Sequence, residues 1–180
     1  MVDLVVLQSL SYIAGAISVV LGVIYYVINL RESRRNGRIA LANSLMQKVQ
    51  SPEYHGIMLD LFKQEWKDYD DFEKKYGSDN NPGSYQKRFS IWRYYNSLGY
   101  MLIYNLIDAD SLSNLGDGDG IIMMWAKFES IIRNMRKFYG MGDNWMWGFE
   151  YLAGELLRVA KMRDSSYRVS IEFTKYVPDK

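Results

Sequence analysis

The stretch LVVLQSLSYIAGAISVVLGVIYYVINL, residues 4–30, contains no charged side chain. About 20 apolar residues cross a bilayer core, and this run is roughly 40 Å long as a helix, so its length and composition predict one transmembrane helix. Its polar members Gln8, Ser9, Ser11, Ser18 and Asn29 are few and neutral. A cleaved secretory signal needs a basic start, a shorter apolar core and a small-residue cleavage site. Here the start carries Asp3, and Tyr25 to Arg31 offers no such site, so residues 1–31 are expected to be an uncleaved anchor.

Directly after the run come Arg31, Arg34, Arg35 and Arg38, opposed only by Glu32. Basic residues beside a span stay in the cytoplasm, which predicts a single-pass protein of the cell membrane with its N-terminus outside and its C-terminal domain cytoplasmic. The same arginines are candidates for contact with anionic membrane lipid, although a topology signal is the plainer reading of so short a cluster. Ser11, Gly15, Ser18 and Gly22 share a face of the span, and small residues at that spacing let helices approach closely in lipid. The expected partners are therefore other membrane subunits, or a second copy of the chain, through the span.

The whole chain of 180 residues has 22 Lys+Arg against 21 Asp+Glu, a net charge of +1, one His and no Cys. Its mean hydropathy of -0.24 averages the apolar run with an amphipathic remainder. Without cysteine there are no disulfides, thiolate metal sites or Cys nucleophiles, and a single His rules out a multi-histidine metal site. A near-zero net charge provides no field to gather nucleic acid.

Residues 32–163 read as one helical domain. Ile39, Leu41, Leu45, Met46 and Val49 keep a helical period, so the anchor is expected to continue past Gly37, with a kink there. Ser51-Pro52 is a cap followed by proline at a first helical position, and Asp68 heads a short helix ending near Gly77. Beyond the turn at residues 78–83, Tyr85, Phe89, Trp92, Asn96, Gly99, Tyr100, Ile103 and Ile107 trace one stripe of a long helix that ends at Leu106 to Asp108. Large aromatics at that spacing belong to a core. One turn over Asp110 to Leu115 and two more helices follow, the last capped by Asp143 or Asn144.

In residues 164–180 the period changes. Tyr167, Val169, Ile171 and Phe173 alternate with polar residues, as in a strand, and a strand without a ladder partner would add to another chain's sheet. The alternative is an extended strap on the helices. The expected fold class is thus all-α: an N-terminal single transmembrane helix continuing into a cytoplasmic helical bundle, with a short extended or strand-like C-terminal tail.

Catalysis requires a nucleophile with a base, an acid and base held together, or a metal. His55 has no carboxylate at a suggestive spacing, and no Walker, dinucleotide, zincin or nucleophile-elbow pattern occurs. The acidic stretch Asp108 to Gly120 fails the EF-hand pattern in both registers, because Leu112 or Ile121 falls at position 5. A loop capping the next helix with Asp119 accounts for it. Lys87, Arg88 and Arg93 interleave with Tyr85, Phe89, Trp92, Tyr94 and Tyr95, a combination that can hold single strands, but these aromatics are spaced for burial. No nucleic acid, cofactor or catalytic residue is expected.

The order of features resembles a family of small bacterial and archaeal proteins known as a domain of unknown function, with one N-terminal membrane helix, an arginine-rich stretch and a helical cytoplasmic domain. The likeness is carried by Arg31-Glu32-Ser33-Arg34-Arg35, Ser51-Pro52-Glu53-Tyr54, Glu65-Trp66, Asp70-Asp71-Phe72-Glu73, the break at Leu106-Ile107-Asp108 and the helix from Trp125 to Tyr139. It runs to about Leu157 and implies no site residue. Two function classes follow. One is a non-catalytic accessory or scaffolding subunit of a larger membrane complex, a membrane oxidoreductase assembly being one host. The other is a homo-oligomeric, membrane-anchored sensor or regulator with a small-ligand pocket in its helical domain.

Overall fold

The structure, a computed structural model, describes residues 4–175, apart from the side chains of Arg38 and Leu115. Every regular element among them is helical: α1 Leu4–Val49, α2 Pro52–Phe62, α3 Tyr69–Tyr76, α4 Pro82–Ile103, α5 Ala109–Leu112, a π-helical turn Ser113–Asp117, α6 Gly118–Phe138, α7 Trp147–Arg163 and α8 Ile171–Thr174. The all-α class is as expected. The chain divides into two compact units, Met1–Asn43 and Ser44–Lys180.

In the first unit, α1 is the one helix, among the described residues, long and apolar enough to cross a membrane. Leu7, Ile13, Ile17, Val20 and Ile24 are all exposed. The hydroxyls of Ser11 and Ser18 donate to the carbonyls of Leu7 and Ala14 at 2.9 and 2.8 Å, so each is satisfied within its own helix. The helix runs unbroken through Gly37.

The second unit is built from helices whose starts are written locally. Ser51 Oγ accepts the Tyr54 N–H at 3.2 Å with Pro52 in first position, Asp68 Oδ1 accepts the Asp71 N–H at 2.8 Å, and Asn81 Oδ1 accepts the Ser84 N–H at 3.0 Å. Each cap satisfies a donor that a helix start leaves unpaired. α4 packs chiefly on α7, and α6 packs on both α7 and α8. Between them, Trp66, Phe72, Trp92 and Phe128 form a chain of ring contacts with centroids 5.0–5.4 Å apart.

Four local expectations are corrected. α4 ends at Ile103, not Leu106 to Asp108, because Asn105 takes a left-handed φ of 55° and the Leu106 N–H turns back to the Met101 carbonyl at 2.9 Å. α6 is entered from Asp117, and Asp119 lies inside its first turn rather than capping it. α7 begins at Trp147 behind Met146, at φ 58°, with no side-chain cap; residues 143–146 form a turn. There, the Trp145 carbonyl accepts from Arg136 Nε at 2.8 Å.

The strand reading of the tail is the fourth. No strand occurs among the described residues: residues 167–170 lack regular structure and Ile171–Thr174 is one helical turn. Alternation describes which side chains are apolar, but a strand needs a ladder, and no neighbouring backbone supplies one. The tail folds onto its own unit instead. The Phe173 ring packs on Phe62 with centroids 5.1 Å apart, and Tyr167 Oη donates to Asp119 Oδ1 at 2.7 Å. Residues 176–180 of the expected tail lie outside the described residues.

Candidate functional site

The charged residue most deeply buried in the second unit is Arg88, 1% exposed on the inner face of α4. Tyr85, Arg88, Phe89 and Trp92 are spaced i, i+3, i+4, i+7, which places the guanidinium on the same stripe as the core aromatics. Its carbon lies 4.6 Å from the Phe72 ring centre, 5.3 Å from Trp92 and 5.4 Å from Tyr85. Nη1 donates to the Tyr76 carbonyl, at the end of α3, at 2.9 Å.

Tyr85, Arg88, Phe89 and Trp92 form one wall of a cavity of about 250 Å³. Glu73 and Ser78 close it from α3 and the following loop, and Met135, Tyr139, Met141 and Trp145 from the end of α6 and the turn beyond. Gly140 and Gly142, at φ 60° and 67°, let that turn bring Tyr139, Met141 and Trp145 to the cavity. An ion pair of Arg136 with Glu150 at 2.8 Å pins it.

Several polar atoms enclosed behind the cavity wall lack a hydrogen-bond partner. Arg88 Nη2, Trp92 Nε1 and Glu73 Oε1 are buried without a hydrogen-bond partner, and no carboxylate comes within 4.0 Å of the guanidinium among the described residues. Burial holds the Arg88 pKa down to about 10, with the Glu73 carboxylate the largest opposing influence, so the group remains a cation at neutral pH. A buried charge is costly unless paired. The arrangement is a cavity lined largely by aromatic rings and two methionines, with Arg88, Glu73 and Ser78 as its polar residues.

A second cluster lies away from this cavity. The hydroxyls of Tyr54 on α2 and Tyr95 on α4 meet each other and Asp117 Oδ2, the Tyr95–Asp117 contact being 3.1 Å, so two phenolic protons serve three close oxygen contacts. Asp117 ends the π-helical turn, a local irregularity that recurs at functional positions. Burial raises its carboxyl above the ordinary range, the two tyrosine hydrogen bonds and His55 pull it down, and Asp119 pushes it up. A third buried group, Lys127 of α6, donates from Nζ to the Phe62 carbonyl at 2.6 Å; burial, then Lys175, hold its pKa down to about 8.

The residues singled out in the sequence fall as follows. Ser11, Gly15, Ser18 and Gly22 lie on α1 with open space around both glycines, and Arg31, Arg34 and Arg35 are exposed there. The Arg38 side chain lies outside the described residues. Tyr167, Val169, Ile171 and Phe173 belong to the tail, with Ile171 exposed and Phe173 against Phe62. His55 is exposed beside Tyr54.

The carboxylates from Asp108 to Asp119 diverge: Asp108 caps α5, Asp110 pairs with Arg163 at 2.8 Å, Asp117 faces the tyrosines and Asp119 accepts from Tyr167. The basic and aromatic run on α4 is split, with Arg88, Trp92 and Tyr95 buried and Lys87 paired with Asp60. In the sequence Arg88 stood out only within the basic and aromatic run of α4, and Lys127 did not stand out at all. The available signal was their place on apolar stripes, Arg88 between Tyr85 and Trp92, and Lys127 between Met124 and Ile131.

No family model matches the chain, and no curated protein or solved structure matches it either.

Proposed function

We propose that this chain is a non-catalytic, single-span membrane protein that works as a sensor or regulator, its helical unit reading a small ligand through the cavity beside Arg88. Residues 4–30 anchor it, with the N-terminus outside and the helical unit at the cytoplasmic face. One observation carries the reading: a cavity of about 250 Å³ is lined by aromatic rings and two methionines, with the buried Arg88 and Glu73 among its few polar residues. Apolar cavities with a few polar groups are where small molecules bind. The span is supported by the length, apolar composition and exposure of α1, and its direction by the arginines that follow.

The test is a metabolite screen on the full chain in detergent, following thermal stability and tryptophan fluorescence, since Trp92 and Trp145 both line the cavity. A ligand that binds only the folded chain raises its melting temperature in a concentration-dependent way. Such a shift, lost on Trp145→Ala, is expected. A screen without any stabilising compound overturns the reading.

A second reading, an accessory or scaffolding subunit of a larger membrane complex such as a membrane oxidoreductase assembly, is favoured by a separate exposed aromatic face. Trp147 lies between Tyr100, which it meets edge-on, and Tyr151, tilted to it, at the start of α7, and Tyr104, 70% exposed, lies one turn beyond Tyr100. Exposed aromatic clusters mark interaction surfaces. Native-gel separation of gently solubilised membranes, with mass spectrometry of the band, decides between the two: a fixed set of co-migrating subunits favours the accessory reading, and migration alone or as a small homo-oligomer favours the sensor.

A further inference from the structure

We infer that the ligand of the cavity lined by Tyr85, Phe89, Trp92, Tyr139 and Trp145 is an uncharged molecule built on one flat apolar ring. The inference rests on the cavity being a ligand site and adds the chemistry of its occupant. Arg88 and Trp92 are each 1% exposed, and Arg88 Nη2, Trp92 Nε1 and Glu73 Oε1 are enclosed by protein, so these atoms back the wall without offering a donor or acceptor to the space. Glu73 is also the charge that acts most strongly on Arg88, and the two opposite charges offset one another. Ser78, the remaining polar residue of the lining, already donates its hydroxyl to Asp79 Oδ1 at 3.1 Å. A ligand ion entering here would give up its hydration and meet no counter-charge free to replace it, which is the costly way to bury a charge. A neutral molecule avoids that cost.

The rest of the lining selects for shape and size. Tyr85 and Phe89 lie nearly parallel, with centroids 5.4 Å apart and an interplanar angle of 12°, while Trp92 and Trp145 meet edge to face at 6.3 Å and 81°. Stacked and edge-on ring contacts add to the gain from area burial, so a flat ring makes contacts here that a branched aliphatic molecule of equal volume does not. Met135 and Met141 complete the lining with flexible thioethers, which adapt to ring edges. A cavity of about 250 Å³ falls just below the range of about 300–1,000 Å³ that holds drug-sized ligands, so a single ring with a short substituent suits it. Tyr139 and Met141 are 51% and 45% exposed, so the lining reaches the surface at the turn shaped by Gly140 and Gly142, and entry there does not require the core to open.

The test uses the full chain in detergent with three probes of similar size: benzyl alcohol, benzoate and benzylamine, which are neutral, anionic and cationic at neutral pH. Binding is read by calorimetry and tryptophan fluorescence. Benzyl alcohol should bind at least about tenfold more tightly than either ion. Tyr139→Ala removes a half-exposed ring of the lining and should weaken benzyl alcohol about three- to tenfold, with little change in the melting temperature of the free chain. Because parent and variant share one detergent, uptake of the probe by micelles cancels. Glu73→Gln removes the charge that offsets Arg88, so it should strengthen benzoate severalfold relative to benzyl alcohol. Benzoate or benzylamine binding as tightly as benzyl alcohol to the parent, or a Glu73→Gln variant in which benzoate gains nothing, overturns the uncharged assignment while leaving the cavity as a binding site. If none of the three binds, or if Tyr139→Ala leaves every affinity unchanged, the assignment and the cavity reading fall together.

Discussion

Gly99 on α4 and Gly148 on α7 meet backbone to backbone: a Cβ placed on Gly99 would lie 2.8 Å from the Gly148 Cα and press into its carbonyl. A Cβ on Gly148 would in turn lie 3.0 Å from Asn96 Oδ1 and 3.2 Å from the Tyr100 ring. The main helix pair of the second unit therefore closes on two absent side chains. Asn96 uses the closeness, its Oδ1 accepting the Phe149 N–H at 3.3 Å and so serving a donor of the uncapped start of α7.

Gly99→Ala should destabilise the chain by about 1–3 kcal/mol, the usual cost of overpacking a filled contact. Gly154→Ala, further along α7 with open space around it, is the matched control and should be neutral or stabilising by about 0.5–1 kcal/mol. Chemical denaturation of the two variants in the same detergent checks the pair, and equal stability would show that the crossing is looser than described.

Asp117 predicts a pH dependence of definite sign. Its carboxyl is raised above the ordinary value of 3.8 by burial, so the folded chain holds that proton to a higher pH than the unfolded chain does. Its contribution is full below about pH 3.8 and is lost as pH rises through the folded value. Asp117→Asn imitates the protonated form, keeps an acceptor for Tyr54 and Tyr95, and should be more stable than the parent at pH 7, with the gap closing near pH 4. Melting curves at the two values check it; a gap that does not change with pH would assign the effect to packing.

What could be read from the sequence was whatever local chemistry decides. The uncharged run of residues 4–30 and the caps at Ser51 and Asp68 depend on neighbours a few residues away, and they appear where expected. The site groups depend on distant ones. Asp117 finds Tyr54 and Tyr95 only once α2 and α4 are packed, so its carboxylate read as a loop acid. Arg88 was read as one of three basic residues among aromatics, because charge alone does not reveal burial; its place between Tyr85 and Trp92 on the core stripe did. The tail misled for the opposite reason. Its alternation was genuine, but what Phe173 meets is a ring on α2, not a strand.

Docking of the tail should be separable from folding. The Phe173–Phe62 ring contact, the Tyr167–Asp119 hydrogen bond and a Lys175–Glu65 ion pair at 3.2 Å hold it to α2, α6 and the loop between α2 and α3. An exposed ion pair contributes little, so the rings and the phenol carry the attachment. Phe173→Ala with Tyr167→Phe should make residues 164–175 a preferred site of limited proteolysis, with global stability falling by only about 1–2 kcal/mol. Unchanged cleavage would mean that other contacts hold the tail.

Lys127 gives a slope of the opposite sign to that of Asp117. Burial and then Lys175 hold its folded pKa at about 8, against 10.5 for an ordinary lysine, with Glu65 and Glu172 opposing. Between about pH 8 and pH 10.5 the unfolded chain binds more protons, so stability should climb with pH across that window. Lys127→Met removes the titrating group from beneath the Trp66 ring and the Phe62 carbonyl, and should flatten the climb relative to the parent. The tyrosines also titrate at alkaline pH, which is why the difference between the two proteins is the quantity to measure. Removing the tail's positive charge with Lys175→Gln should shift the climb to higher pH, because a cation no longer opposes the protonation of Lys127. Identical slopes in all three proteins would show that Lys127 remains solvated.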